Sequence, residues 1–152
     1  MPRIAIATQR FYRLVQPRFT VGAVGVLLDD QSRVLLVKHV FHPKTPWGLP
    51  GGWVNRNELP QHAVEREFHE ETTLNVTAIM PLHVWSSPFW KNHVDMGFAV
   101  TAKTLPAEPL KLSNELCDYR WATQDDLPPL SPEHRHIITL ALRRIDDVRQ
   151  TR

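Results

Sequence analysis

The sequence predicts an α/β (α+β) domain in which a mixed β-sheet is sandwiched between helices. Three observations predict it. β-rich apolar runs recur from residue 20 onward, one amphipathic helical segment interrupts them, and a second helical segment closes the chain after a Ser-Pro-Glu start signal. At 152 residues with 42% hydrophobic content the chain suffices for one core, and the expected organisation is an arm over residues 1–18 followed by a single domain over 19–152.

The elements follow in order. VGAVGVLL and RVLLVKHVF are strand-like runs, and the Asp29-Asp30-Gln31-Ser32 loop between them suits a hairpin. Trp47 to Gly52 reads as a short strand running into a turn. Leu59 to Thr72 reads as a helix with Pro60 in its first turn, where a missing N–H costs nothing. Strands are expected at Leu74 to Trp85, His93 to Leu105 and Glu115 to Trp121. The final helix has Ser131 as N-cap and Pro132 at its first position, and carries Ile137, Ile138, Leu140, Ala141, Leu142 and Ile145.

Composition excludes several classes. The net charge is only +2, with no Lys or Arg run, so stable nucleic-acid binding is not expected. No stretch approaches the roughly 20 apolar residues of a membrane span, and the first eighteen residues lack the continuous apolar core of a signal peptide. Cys117 is the only cysteine, which excludes an intrachain disulfide and makes the cytoplasm the expected location.

The helix carries the chemistry. Glu67, Glu70 and Glu71 crowd within five residues. On a helical wheel of about 100° per residue, Glu70 and Glu71 lie about −60° and +40° from Glu67, within the arc of Ala63, Val64 and Phe68. His62, Glu65, His69 and Thr72 form the expected solvent face. Partly buried carboxylates repel one another and lose hydration, so a counter-charge is required. Arg66 supplies one, with Glu58 as a bonding partner, and a hard divalent cation that prefers oxygen ligands supplies the rest. The preceding Pro50-Gly51-Gly52 permits close approach of the backbone.

Gly52, Glu58 and the run Arg66-Glu67-Phe68-His69-Glu70-Glu71-Thr72-Thr73-Leu74 closely resemble the Nudix box, G-x5-E-x7-R-E-U-x-E-E-x-G-U with U apolar. Thr73 replaces the final glycine, where a left-handed conformation costs a β-branched residue about 1 to 2 kcal/mol; Asn75 or a shifted turn is expected to absorb the reversal. The RVLLVKH strand, the WGLPGGWV approach and Glu115 leading toward Trp121 extend the resemblance over residues 20 to 145. The resemblance implies a Nudix fold and hydrolysis of the pyrophosphate of a nucleoside diphosphate linked to another group, with Mg²⁺ or Mn²⁺ as cofactor. It implies Gly51, Glu67, Glu70, Glu71 and Glu115 as metal ligands, Glu67, Glu70 and Arg66 as catalytic residues, and Gly52 and Glu58 as structural members of the motif. Which glutamate acts as general base is left open by the sequence, with Glu70 and Glu115 as the candidates. A nucleotide-sensing domain without catalysis is the alternative, favoured by Thr73.

Substrate contacts are expected from Trp47, Trp53, Trp85, Phe89 and Trp90, whose rings suit stacking on a base. Whether the substrate resembles ADP-ribose or NADH, or is a nucleoside triphosphate, stays open. His134 and His136 lie about 200° apart on a helix and cannot share a metal. A homodimer partner would cover Ile4, Ile6, Phe11, Tyr12 and Leu14 of the arm.

Overall fold

The computed structural model describes residue 12 and residues 16–41, 44–105 and 109–150, with side chains to 144. The arm, apart from Tyr12 and residues 16–18, and the Ile145 side chain lie outside the described residues. Strands β1 (Thr20–Leu27), β2 (Val34–His39), β3 (Trp47–Gly48) and β4 (Gly51–Trp53) precede helix α1 (Pro60–Thr72). Strands β5 (Val76–Ser86), β6 (His93–Ala102) and β7 (Leu116–Ala122) follow, and helix α2 (Pro132–Gln150) ends the chain.

The strands divide between two sheets, ordered β4-β1-β6-β5 and β3-β2-β7. The larger one is mixed, because β1 runs parallel to β6 while the other pairs are antiparallel. The expected hairpin of the first two strands does not form: Leu28 and Val34 share one isolated bridge, after which β1 and β2 enter different sheets. Asp29 organises this divergence by accepting the N–H groups of Gln31 and Arg33 while pairing with the Arg33 guanidinium. Trp47 to Gly52 likewise splits into β3 and β4, one in each sheet.

Period 2 sorts the apolar runs between two cores. Leu35 joins Ala23, Leu27 and the α1 residues Ala63, Val64 and Phe68, whereas Val34 and Leu36 join Val26 and the α2 residues Ile137, Ile138 and Ala141. That is why VLLV has no polar member: both of its faces are covered. Gly25 admits α1 to the sheet, since a Cβ there would lie 2.6 Å from Phe68 Cε2 and 2.9 Å from Val64 Cγ2.

Both helices begin at proline. Pro60 opens α1, and the Ser131 hydroxyl accepts the His134 N–H at 3.2 Å at the start of α2. At the other end of α1, Thr73 itself adopts the left-handed conformation (φ 60°, ψ 7°), donating its N–H to the His69 carbonyl at 2.9 Å. The reversal is therefore absorbed at Thr73, and neither Asn75 nor a displaced turn is needed. Among the described residues, no helix is long and apolar enough to cross a membrane.

Candidate active site

α1 lays its carboxylates against the glycine turn before it. Gly51 has φ 151° and a Cβ there would strike the Ala23 carbonyl, so only glycine fits. At Gly52 a Cβ would fall 2.5 Å from the Glu67 carboxyl carbon. Two missing side chains thus let Glu67 and Glu71 approach the loop backbone, and the Gly51 N–H donates to Glu71 Oε2 at 3.0 Å.

The three glutamates differ in environment. Glu71 is 6% exposed, and burial pushes its carboxyl up to about 8, with repulsion from Glu67, Glu115 and Glu70 adding to the loss of hydration against the Gly51 bond. Glu67 is also pushed up, by burial first and by Glu70 and Glu115 as well, while Arg66 opposes the shift. Glu70 is the open member, its side chain 57% exposed, so it does not share the apolar arc that the wheel assigned to it. Thr72, expected on the solvent face, is fully buried; its hydroxyl donates to the Phe68 carbonyl at 2.6 Å, which removes the cost of enclosing it. Glu65 is also drawn in, accepting the Ala78 N–H at 2.9 Å.

Arg66 ties the motif together. Its guanidinium meets Glu58 through two hydrogen bonds, the Trp53 carbonyl at 2.9 Å, Glu67 at 2.7 Å and Glu70 at 3.1 Å. Arg66 in turn holds the Glu58 carboxyl down at about 2, helped by the Asn55 N–H. Among the described residues no three His, Cys, Asp or Glu side chains stand close enough to form a ready metal cage; Glu67 and Glu70 bond to Arg66, and Glu71 accepts the Gly51 N–H.

The donor set nevertheless fits a hard cation. Glu67, Glu70, Glu71 and Glu115 all line one cleft of about 560 Å³ together with Gly51, Gly52, Trp53, Asn55, Ser113, Asn114 and His39. The Ser113 hydroxyl there is buried without a hydrogen-bond partner. Oxygen ligands, mutual carboxylate repulsion and an orphaned hydroxyl describe a site short of positive charge.

The predicted aromatic residues divide. Trp47, Trp85 and Phe89 line a second cavity of about 230 Å³ with Gly48, Asp95, Glu133 and His134, and His39 borders both spaces. Trp53 lines the carboxylate cleft instead, and Trp90 packs edge-on against Trp53 at 6.0 Å while 61% exposed. His134 lines the cavity, and the His136 ring meets His83 at 4.9 Å. Asp95, Asn55, Ser113 and Asn114 escaped the sequence reading. Ser113 and Asn114 directly precede Glu115, the one signal that could have marked them.

Comparison with known proteins agrees with this geometry. The NUDIX domain model matches residues 18–141, and the chain belongs to the Nudix hydrolase family. It is 32% identical over 107 residues to the NAD-capped RNA hydrolase NudC of Vibrio vulnificus (strain CMCP6), covering 70% of this chain and 40% of that protein. The chain thus spans well under half the length of that relative. It is 31% identical over 78 residues to the 8-oxo-dGTP diphosphatase of Proteus vulgaris, covering 50% of this chain and 70% of that protein. The crystal structure of a MutT NUDIX hydrolase from Burkholderia pseudomallei superposes with a TM-score of 0.62 at 27% identity, covering 82% of this chain and 98% of that one.

Proposed function

We propose that the protein is a Mg²⁺-dependent pyrophosphohydrolase that cleaves the pyrophosphate of a nucleotide. The observation that carries this reading is the convergence of Glu67, Glu70, Glu71 and Glu115 on one cleft that adjoins an aromatic cavity through His39. The larger space suits a pyrophosphate and the smaller a base, in keeping with two relatives whose names specify nucleotide substrates.

Glu67, Glu70 and Glu71 would hold the cation, with the Gly51 carbonyl and Glu115 beside them. Mg²⁺, when bound, neutralises phosphate oxygens and raises the acidity of a water in its shell. Arg66 and Glu58 keep the helix and the glycine turn in register through five hydrogen bonds from the guanidinium to α1, Glu58 and the Trp53 carbonyl. Glu70 and Glu115 are the exposed carboxylates of the cleft, and one of them would accept a proton from the attacking water. Trp47, Trp85 and Phe89 would stack on the base.

A sensor without catalysis is disfavoured by Thr73, which keeps the helix end closed by its own N–H and leaves Glu70 and Glu71 in place on α1. A release assay over nucleoside triphosphates, ADP-ribose, NADH and nucleotide sugars, with Mg²⁺ or with chelator, tests the reading. Metal-dependent release of phosphate or pyrophosphate products from at least one member is expected. Silence over the whole panel, with tight binding of a nucleotide, would establish the sensor instead.

A further inference from the structure

We propose that Asp95 determines base specificity: its carboxylate accepts the paired N–H donors on one edge of a guanine-type ring seated in the aromatic cavity. This rests on the reading that the cavity takes the base. At about 230 Å³ the cavity holds one ring system, below the ~300–1,000 Å³ of pockets that enclose a drug-sized ligand. The phosphates must then lie outside it, in the adjoining cleft.

Asp95 is built into the cavity floor rather than scattered over its rim. Gly22, Asp95 and Trp85 stand in register across β1, β6 and β5. The face is that of α2, since two residues further along β6 a Cβ on Gly97 would meet Ile137 and Trp85. Gly22 has no side chain, and a Cβ there would collide with Asp95 Oδ1, so the carboxylate occupies the space that the glycine leaves. The buried His93 fixes it: Nε2 meets Asp95 Oδ1 at 3.0 Å, and Nδ1 meets the Thr20 hydroxyl at 2.7 Å. With Thr20 donating to Nδ1, the imidazole presents its proton to Asp95.

A carboxylate offers about four acceptor sites, and this bond uses one. The remaining acceptors line a partly open cavity, and a ring that displaces their water must donate to them in its place. Guanine presents two adjacent donors, the ring N1–H and the exocyclic amino group. Adenine pairs its amino group with a bare ring nitrogen, and uracil flanks its one N–H with carbonyls, so both set lone pairs against the carboxylate. His134 lines the same cavity, and the Leu49 N–H donated to its Nδ1 at 3.4 Å leaves the ring proton on Nε2, a donor that suits the guanine carbonyl.

The test compares kcat/KM for GTP, ITP, ATP and UTP with Mg²⁺ in the wild type, Asp95→Asn and Gly22→Ala. ITP isolates the exocyclic amino group without any change in the protein. We expect the wild type to favour GTP over ITP and ATP at least tenfold. Asp95→Asn retains an acceptor for His93 and should erase that preference, lowering kcat/KM for GTP at least tenfold while relieving the repulsion that disfavours ATP; Gly22→Ala should act in the same direction by displacing the carboxylate. Quenching of tryptophan fluorescence by GDP and ADP reads the same preference without turnover. If no triphosphate is hydrolysed but the GDP preference exists and is lost in Asp95→Asn, the inference stands, and the hydrolase reading falls only if ADP-ribose, NADH and nucleotide sugars are also left uncleaved. If turnover is present but GTP and ITP are equal, or both variants slow all four substrates alike, the inference is overturned.

Discussion

Arg66 and Glu58 meet in a bidentate ion pair, Nε to Oε1 at 2.8 Å and Nη2 to Oε2 at 3.0 Å, which ties the middle of α1 to the loop before it. A lysine has a single ammonium and cannot form this fork. Arg66→Lys should therefore lower metal-dependent turnover at least tenfold and cost about 1.5 to 3 kcal/mol of stability, the range for charge-assisted hydrogen bonds. Chemical denaturation and steady-state kinetics measure both; unchanged values would remove Arg66 from the motif's framework.

Thr73 holds a left-handed conformation with φ 60°, which costs a β-branched residue about 1 to 2 kcal/mol. Thr73→Gly should stabilise the protein by about 1 kcal/mol, a rise of roughly 2 to 4 °C in Tm for a chain of this size, with activity unchanged. A fall in Tm would mean that the hydroxyl bond to the Thr72 carbonyl outweighs the backbone strain.

Gly25 lies beneath α1 with Phe68 and Val64 too close for any Cβ. Gly25→Ala should cost about 1 to 3 kcal/mol through overpacking. Equilibrium unfolding reads this directly, and a stabilised variant would show that α1 is free to move outward.

His134 is pushed down to about 4, chiefly by burial, with the neighbouring charge of His39 adding to it and Glu133 opposing. Its pKa is lower in the folded state than the ordinary 6.5, so the unfolded chain binds the extra proton between those values. Stability from this group is complete above pH 6.5 and is lost as pH falls toward 4, by about 2 to 3 kcal/mol. Comparing the pH dependence of unfolding in the wild type and His134→Asn tests it; identical slopes over that interval would contradict the assignment.

Much of this was legible in the chain itself, for identifiable reasons. α1 was readable because Pro60, the apolar residues at helical spacing and the glutamate cluster are all local signals. Arg66 and Glu58 were readable as partners because a fixed motif spacing brings them together. The two-sheet arrangement was not readable, since period 2 shows that VLLV is covered on both faces but not which strands flank it. Asp95 was invisible for a similar reason: its meaning depends on Gly22, His93 and Trp85, brought together by register across three strands. The burial of Thr72 was hidden too, because a helical wheel cannot see the Ser113 segment, whose N–H reaches the Glu71 carbonyl at 2.9 Å.

Calorimetric titration of the full chain with Mg²⁺, in the presence of a non-hydrolysable nucleotide, bears most directly on the account, with Glu71→Gln as the comparison. Gln at this position keeps a carbonyl oxygen for the Gly51 N–H and should leave the fold intact, while removing the most enclosed carboxylate of the cleft should weaken cation binding at least tenfold. Saturable binding in the wild type and that weakening in the variant are predicted. No heat of binding in either protein, or equal affinity in both, would contradict it.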